Sequence, residues 1–435
     1  MKLSTTTLPL PVTYRRKMTL KLLTSLVGLC LFGAANAWLP HENSHRMEGR
    51  DGSNFFNNSA NSVQGRWLPT NGNPIRGVNL GSLFVLEPWM ASNSWSEMGC
   101  DGQNSEFDCV SHLGQDAANS AFKDHWSSWV TQDDFKQMQS YGLNAVRIPL
   151  GYWLDEDIVY SDSEHFPQGA MSYLESIVGW ASDAGFYIVL DLHGAPGAQV
   201  ASNADTGQYA STPGFYVDYQ YERALKFLEF LVEKVHKTDT FRNVGMIEIV
   251  NEPLQNTGDD TTSMRTSYYK DAWDRVHSKE DEIGVHGDAQ VHLAVMNNDW
   301  GSGNPTESMN SWNVAFDDHR YLKWDSRVSV DHDSYISASC NDQSQGDSPG
   351  IVGEFSLSPP DDVQWSGDWD PSSNKDFYKK WFTAQMTSYE QRNLGWFFWS
   401  WKTELGDYRW SYQDAVSDGV IPSDLGTIDR GSVCS

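Results

Sequence analysis

Two glutamates stand where acid chemistry would need them. Glu252 follows the run Met246-Ile247-Glu248-Ile249-Val250-Asn251, and Glu354 follows Gly350-Ile351-Val352-Gly353. Each β-branched run reads as a buried strand, so each carboxyl is expected at a strand end. About a hundred residues separate them, room for two or three strand–helix units, so they can meet across a closed barrel mouth. Two carboxyls facing one cleft suit cleavage of a glycosidic bond: one protonates the leaving oxygen while the other attacks or activates water. If both work by double displacement, their spacing should be about 5–5.5 Å rather than the roughly 6.5–9.5 Å of inverting pairs.

The elements that must position them are eight strand-like runs: Ile75–Leu80, Asn144–Leu150, Phe186–Leu192, Met246–Val250, Val291–Met296, Trp312–Phe316, Gly350–Glu354 and Gly395–Ser400. Helical periodicity falls between many of them, over Gln132–Tyr141, Ala170–Ala184, Tyr219–His236, Ser263–Val276 and Asp376–Gln391. Near-continuous apolar strands alternating with amphipathic helices predict an α/β fold, a (β/α)8 TIM barrel. A single domain over 75–435, with loop insertions at the C-terminal face, accounts for the rest.

Polar residues gather at the ends of these strands: Asn79 and Glu87, Arg147, His193, Asn251, then His319 and Tyr321, and last Trp399 and Trp401. Singly, each has a structural explanation, such as an ion pair or a strand terminator. Together they exceed what stability asks of one barrel face. Glu252, among apolar and amide neighbours, is expected to be the acid/base, its pKa raised by burial. Glu354 is expected to be the nucleophile, held ionised by Arg147 and Tyr321. Asn251 would bond the sugar 2-hydroxyl, His193 and His319 would orient hydroxyls or carboxylates, and Trp399, ahead of Trp401, would carry the sugar ring. With nineteen tryptophans in the chain, an aromatic-lined groove for a polysaccharide is expected.

Arg15-Arg16-Lys17, the apolar run from Leu20 to Phe32 and Ala35-Asn36-Ala37 form a secretory signal over 1–37, followed by a polar arm over 38–74. The whole chain carries 31 basic and 58 acidic residues; without the five basic side chains of 1–37 the balance is 26 to 58, or −32. Such a charge disfavours nucleic acid and anionic membranes and suits a neutral substrate. Secretion is the expected destination, and a monomer the expected state. Outside the signal, Cys100, Cys109, Cys340 and Cys434 allow three pairings, of which Cys100–Cys109 and Cys340–Cys434 are favoured. Asn57-Asn58-Ser59 is a glycosylation sequon in the arm. No metal site and no cofactor is expected: Asp317-Asp318-His319 and Asp331-His332-Asp333 have ligand-type residues, yet read as solvated loops or sugar contacts.

These motifs resemble family five glycoside hydrolases. The matching stretches are Val146-Arg147-Ile148-Pro149, Asp191-Leu192-His193-Gly194, Asn251-Glu252-Pro253, His319-Arg320-Tyr321, Gly353-Glu354-Phe355 and Trp399-Ser400-Trp401-Lys402. The resemblance implies Glu252 as acid/base, Glu354 as nucleophile, and Glu87 as a contact to sugar on the non-reducing side. Within the family, Arg76–Trp89 and Leu192–Gln199 are similar to fungal cell-wall β-glucanases. The stretch 200–207 departs from the exo-acting β-1,3 enzymes, while Ser96–Cys100, Phe107–Gly114 and Asp407–Tyr412 look more like the endo-1,6 group. The resemblance therefore implies a retaining endo-β-1,6-glucanase. The alternatives are exo- or endo-β-1,3 cleavage by the same mechanism, or an inactive glucan-binding wall protein.

Overall fold

The computed structural model describes residues 74–342 and 348–434, so the expected signal, nearly all of the polar arm and the sequon lie outside the described residues. Eight parallel strands close into one barrel in chain order: β1 (Ile75–Asn79), β2 (Ala145–Gly151), β3 (Tyr187–Gly194), β4 (Val244–Glu248), β5 (His292–Met296), β6 (Val314–Arg320), β7 (Gly350–Phe355) and β8 (Gly395–Phe398). β1 pairs with both β2 and β8, which removes any sheet edge.

Helices cover the outside because their apolar stripes have nowhere else to go. The helix Asp218–Lys237 buries Tyr221, Ala224, Leu225, Leu228, Leu231, Val232 and Val235, the spacing of one helical face. The helix Gln132–Ser140 starts at Thr131, whose backbone N–H donates to Asp134 at 2.8 Å in a capping box. All five expected helices are present. The one expected at Ser263–Val276 instead runs from Asp259 to Glu282, with a π-helical segment at Met264–Tyr269. Among the described residues, the β5–β6 connection carries no α-helix. Further helices at Ser92–Glu97, Glu106–Leu113 and Gln115–Ser128 fill the long β1–β2 excursion, and the disulfides Cys100–Cys109 and Cys340–Cys434 are both formed.

The inside of the barrel changes character along its axis. Inward side chains alternate with a period of two. Ala145, Val189, Met246, Ala315 and Ile351 form an apolar plug with Ile75, Tyr187, Ala294 and Phe397. Two residues further along four of these strands come Arg147, Asp191, Glu248 and Asp317, all buried. The plug closes the floor, and the charged layer above it supports the site.

β6 extends past its expected end at Phe316 and takes in Asp317, Asp318, His319 and Arg320. This corrects the expectation of a solvated acidic loop there: Asp317 and Asp318 are buried strand residues. Asp331 is a helix cap that accepts from the Ser334 N–H at 2.8 Å. Polar side chains survive within β6 because Asp317 accepts the Gly353 N–H of β7 at 2.6 Å. A Cβ on Gly353 would lie 2.1 Å from that carboxylate. Gly353→Ala is therefore expected to cost roughly 1–3 kcal/mol of stability, seen as a lower urea midpoint, and to reduce activity by displacing Glu354. An unchanged midpoint would show that β6 and β7 are not locked at this point.

Candidate active site

Arg147 projects from β2 into the centre of the charged layer. Its Nε and Nη2 donate to Glu248 at 2.9 and 2.7 Å, and Nη2 also reaches Asn251 Oδ1 at 2.9 Å and Asp191 at 3.0 Å. Its Nη1 donates to Asn79 at 3.0 Å and to Glu354 Oε1 at 2.9 Å. Burial disfavours the charged guanidinium, but Asp191, Glu248, Glu354 and Asp317 outweigh it and hold the proton firmly. The other oxygen of Glu354 accepts from the Tyr321 hydroxyl at 2.8 Å.

Glu252 lies four residues beyond the end of β4, with its backbone at φ 39°, a region that strains any residue with a side chain. Neighbouring contacts impose this turn. Gln199 donates to the Asn251 carbonyl at 3.0 Å, Trp300 donates to the Pro253 carbonyl at 2.7 Å, and the Leu254 N–H donates to Tyr216 at 2.8 Å. His319 Nδ1 then donates to Glu252 at 2.6 Å and lies 3.5 Å from Glu354. One carboxyl oxygen of Glu252, one ring nitrogen of His319 and one carboxyl oxygen of Glu354 all lie within 4.8 Å of one another, so the two carboxyls face each other at close range, as a double-displacement pair requires.

The charge states differ from the sequence expectation. Burial does push Glu252 up, but the hydrogen bond and charge of His319 overcome it and leave its pKa below the ordinary range. For Glu354 burial prevails over His319 and Arg147, and its pKa is raised. Burial also opposes the charge on His319, yet Glu354, Asp317 and Glu252 together raise it well above an ordinary histidine. The two carboxyls thus compete for a single imidazolium, which stands nearer to Glu252.

A cavity of about 480 Å³ opens over this pair. Glu87, His193, Asn251, Glu252, Tyr321, Glu354 and Trp399 line it, so seven of the nine expected site residues share one wall. Arg147 and His319 stand directly behind, bonded to the carboxyls. His193 donates to Asp191 at 2.7 Å and lies nearly parallel to Trp399, with ring centres 5.5 Å apart. Burial works against its charge, but Asp191 lifts its pKa to about 9. Trp401 belongs elsewhere: it is buried among the helices and donates to Asp134 at 2.9 Å.

The sequence reading missed two groups. Asp191 and Glu248 were given no site role and Asp317 was read only as a solvated loop or sugar contact, although a glutamate inside an apolar run such as Met246–Val250 is itself a sign of a buried charge partner. Trp89, Trp324, Trp365 and Trp410 also line the cavity, and Trp324 and Trp365 are more than 60 % exposed (65 and 62 %). They sit on loops whose positions no periodicity reveals.

Residues 110–405 match the model of Cellulase (glycosyl hydrolase family 5). The chain belongs to glycosyl hydrolase family 5. This family 5 chain is 58% identical over 401 residues to the glucan endo-1,6-beta-glucosidase B of Emericella nidulans, covering 92% of this chain and 97% of that one. It is 57% identical over 405 residues to the probable glucan endo-1,6-beta-glucosidase B of Neosartorya fischeri, covering 93% and 97%. With the glucan 1,3-beta-glucosidase of Candida oleophila the identity is 32% over 391 residues, covering 81% and 89%. Its fold is like that of the rutinosidase from Aspergillus niger, with a TM-score of 0.63 at 17% identity over 80% of this chain and 98% of that one.

Glu106 ties the helical excursion to this site by accepting the Leu86 N–H at 2.8 Å, next to Glu87. Burial raises its pKa to about 8. A carboxyl that holds its proton more tightly folded than unfolded stabilises the fold in full below its unfolded pKa of about 4.5. That contribution is lost as pH rises through about 8. Urea midpoints of the wild type are expected to fall between pH 5 and 8, and Glu106→Gln, which keeps the acceptor, should flatten the slope. An identical slope in the variant would show that Glu106 is not the group responsible.

Proposed function

We propose that this family 5 enzyme is a retaining endo-β-1,6-glucanase, secreted after loss of residues 1–37, with 38–74 as an arm ahead of the catalytic domain. The near-full-length likeness to relatives named glucan endo-1,6-beta-glucosidase B carries the linkage. The short separation of Glu252 and Glu354 supports the mechanism.

In the first step Glu354 attacks the anomeric carbon as the bond to O6 of the next glucose breaks, and the proton that His319 shares with Glu252 passes through Glu252 to that oxygen. A primary alkoxide is a poor leaving group, so this proton carries much of the rate. His319, donating to Glu252 at 2.6 Å, keeps a proton within one hydrogen bond of the acid. Arg147 and Tyr321 each occupy one oxygen of Glu354, aligning it for attack. In the second step Glu252, now a base, takes a proton from water, which displaces Glu354 and restores the original stereochemistry. Asn251, whose Nδ2 has no partner among the described residues, is free to donate to the 2-hydroxyl. The exposed Trp324 and Trp365 in the cavity lining give a polysaccharide flat apolar surfaces.

Glu354→Gln should lower pustulan hydrolysis by at least about 10³-fold. Glu252→Gln should lose about 10²–10⁴-fold on pustulan, yet far less on an aryl β-glucoside whose phenol leaves without a proton. Full activity in Glu354→Gln would refute the mechanism. The wild type should release sugar from pustulan in preference to laminarin, with the β-anomer formed first by NMR. Preferred release from laminarin would favour the β-1,3 reading, for which the 32% likeness to the Candida oleophila enzyme speaks.

A further inference from the structure

Among the described residues, the β5–β6 connection is the only one without an α-helix. Its first turn, Asn298–Trp300, instead reaches both partners of the Glu252–His319 hydrogen bond. Buried Asn297 anchors that turn on β6: its backbone N–H donates to the Asp317 carbonyl at 2.8 Å, and its Oδ1 accepts the Trp300 N–H at 3.0 Å. Gly301 then reverses the chain at φ 104°, a conformation that glycine adopts without a steric penalty. The turn is thus fixed to the strand that carries His319.

From there two side chains grip the segment that carries Glu252. Trp300 Nε1 donates to the Pro253 carbonyl and Ser302 Oγ to the Leu254 carbonyl, each at 2.7 Å. Ser302 is itself buried, and its carbonyl accepts from Arg265. The Trp300 ring meets the His319 ring edge to face, with centres 5.7 Å apart and planes at 70°. Trp300 is not part of the cavity lining. One side chain therefore holds the backbone beside the acid and the ring that shares its proton, while standing clear of the sugar.

The backbone of Glu252 gives this grip a consequence. At φ 39° it persists only because its surroundings over-determine it, and the Pro253 carbonyl is the next hydrogen-bond acceptor but one along that chain. A Glu252 that relaxed toward ordinary φ would swing its carboxyl off the 2.6 Å line to His319 and away from the leaving oxygen. Proton transfer needs hydrogen-bond reach and alignment, both of which such a swing removes. Glu354, set on β7 and held by Arg147 and Tyr321, would keep its place. The acid step and the attack are thus held by separate contacts.

We propose that Trp300 is a positioning residue for proton delivery: by holding the Pro253 carbonyl and the His319 ring at once, it keeps the Glu252 carboxyl aligned with His319 and with the leaving oxygen. This rests on the reading of Glu252 as the acid and deepens it. The test compares kcat/KM, which reports the bond-breaking step, on pustulan and on an aryl β-glucoside whose phenol leaves without a proton. Trp300→Phe keeps a ring against His319 and loses the donor. It should lose about 3–10-fold on pustulan, the worth of one hydrogen bond, and no more than about twofold on the aryl glucoside. Trp300→Ala should lose more on pustulan with the same split. In a Glu252→Gln background, Trp300→Phe should cost no more than about twofold on pustulan, because its effect passes through a group already disabled. The carboxyls of Glu252, Glu354, Asp317 and Glu248 face His319. Loosening the first of these contacts weakens its hold on the proton, so the basic limb of the pustulan pH profile should move about 0.3–1 pH unit lower in Trp300→Phe. Equal losses on both substrates, a wild-type rate on pustulan, losses that multiply with Glu252→Gln, or an unmoved basic limb would each overturn the proposal. If Trp300→Ala does not fold, judged by its thermal melt, Trp300→Phe carries the test alone. A Glu252→Gln variant that loses as much on the aryl glucoside as on pustulan would instead overturn the acid assignment itself.

Discussion

One buried guanidinium, Arg147, is the constraint on which the rest of this structure depends. It joins Asn79 of β1, Asp191 of β3, Glu248 of β4, Asn251 just beyond β4 and Glu354 of β7. A charge taken out of water survives only when its donors are all used and opposite charge surrounds it. Here that requirement works as a geometric instruction: the strands can close only in the register that brings these acceptors to one fork. Lysine would supply the charge but not the planar set of donors.

Charge has to balance across the whole layer. Arg147, His193 and His319 face Asp191, Glu248, Asp317, Glu252 and Glu354, so the carboxyls outnumber the cations and protons must be shared. Glu248, buried beside Arg147, is raised well above an ordinary carboxyl and takes part of that burden. His319 adjusts the remainder, since it contacts both carboxyls and lies 3.7 Å from Asp317. Closing a cleft that size around a sugar expels water and strengthens each of these interactions. The acid and the nucleophile are therefore states of one coupled group rather than fixed properties of two residues.

Around this core the protein adds devices that aim rather than react. The strained backbone of Glu252 is held by Gln199, Tyr216 and Trp300, which come from the β3–β4 and β5–β6 loops. The tryptophans at the mouth present flat apolar faces to a neutral polymer, and the chain's strong negative charge does not hinder such a ligand.

Local sequence alone determined the eight strands to within a few residues at most ends, the five main helices and the seven residues that line the cavity, and it favoured the two disulfides among three pairings. These were legible because periodicity, turn chemistry and motif order are properties of neighbours along the chain. β6 was read short because its polar residues are stabilised by β7, which no local pattern records. The inward alternation of Arg147, Asp191, Glu248 and Asp317 was hidden within runs whose outward residues are apolar. Only the tertiary structure decided how far Glu252 stands from Glu354, which of them His319 favours, and where the tryptophans face the cleft. The physical reason is common to all three: distance and burial set electrostatic energy, and both arise from contacts between segments remote in sequence.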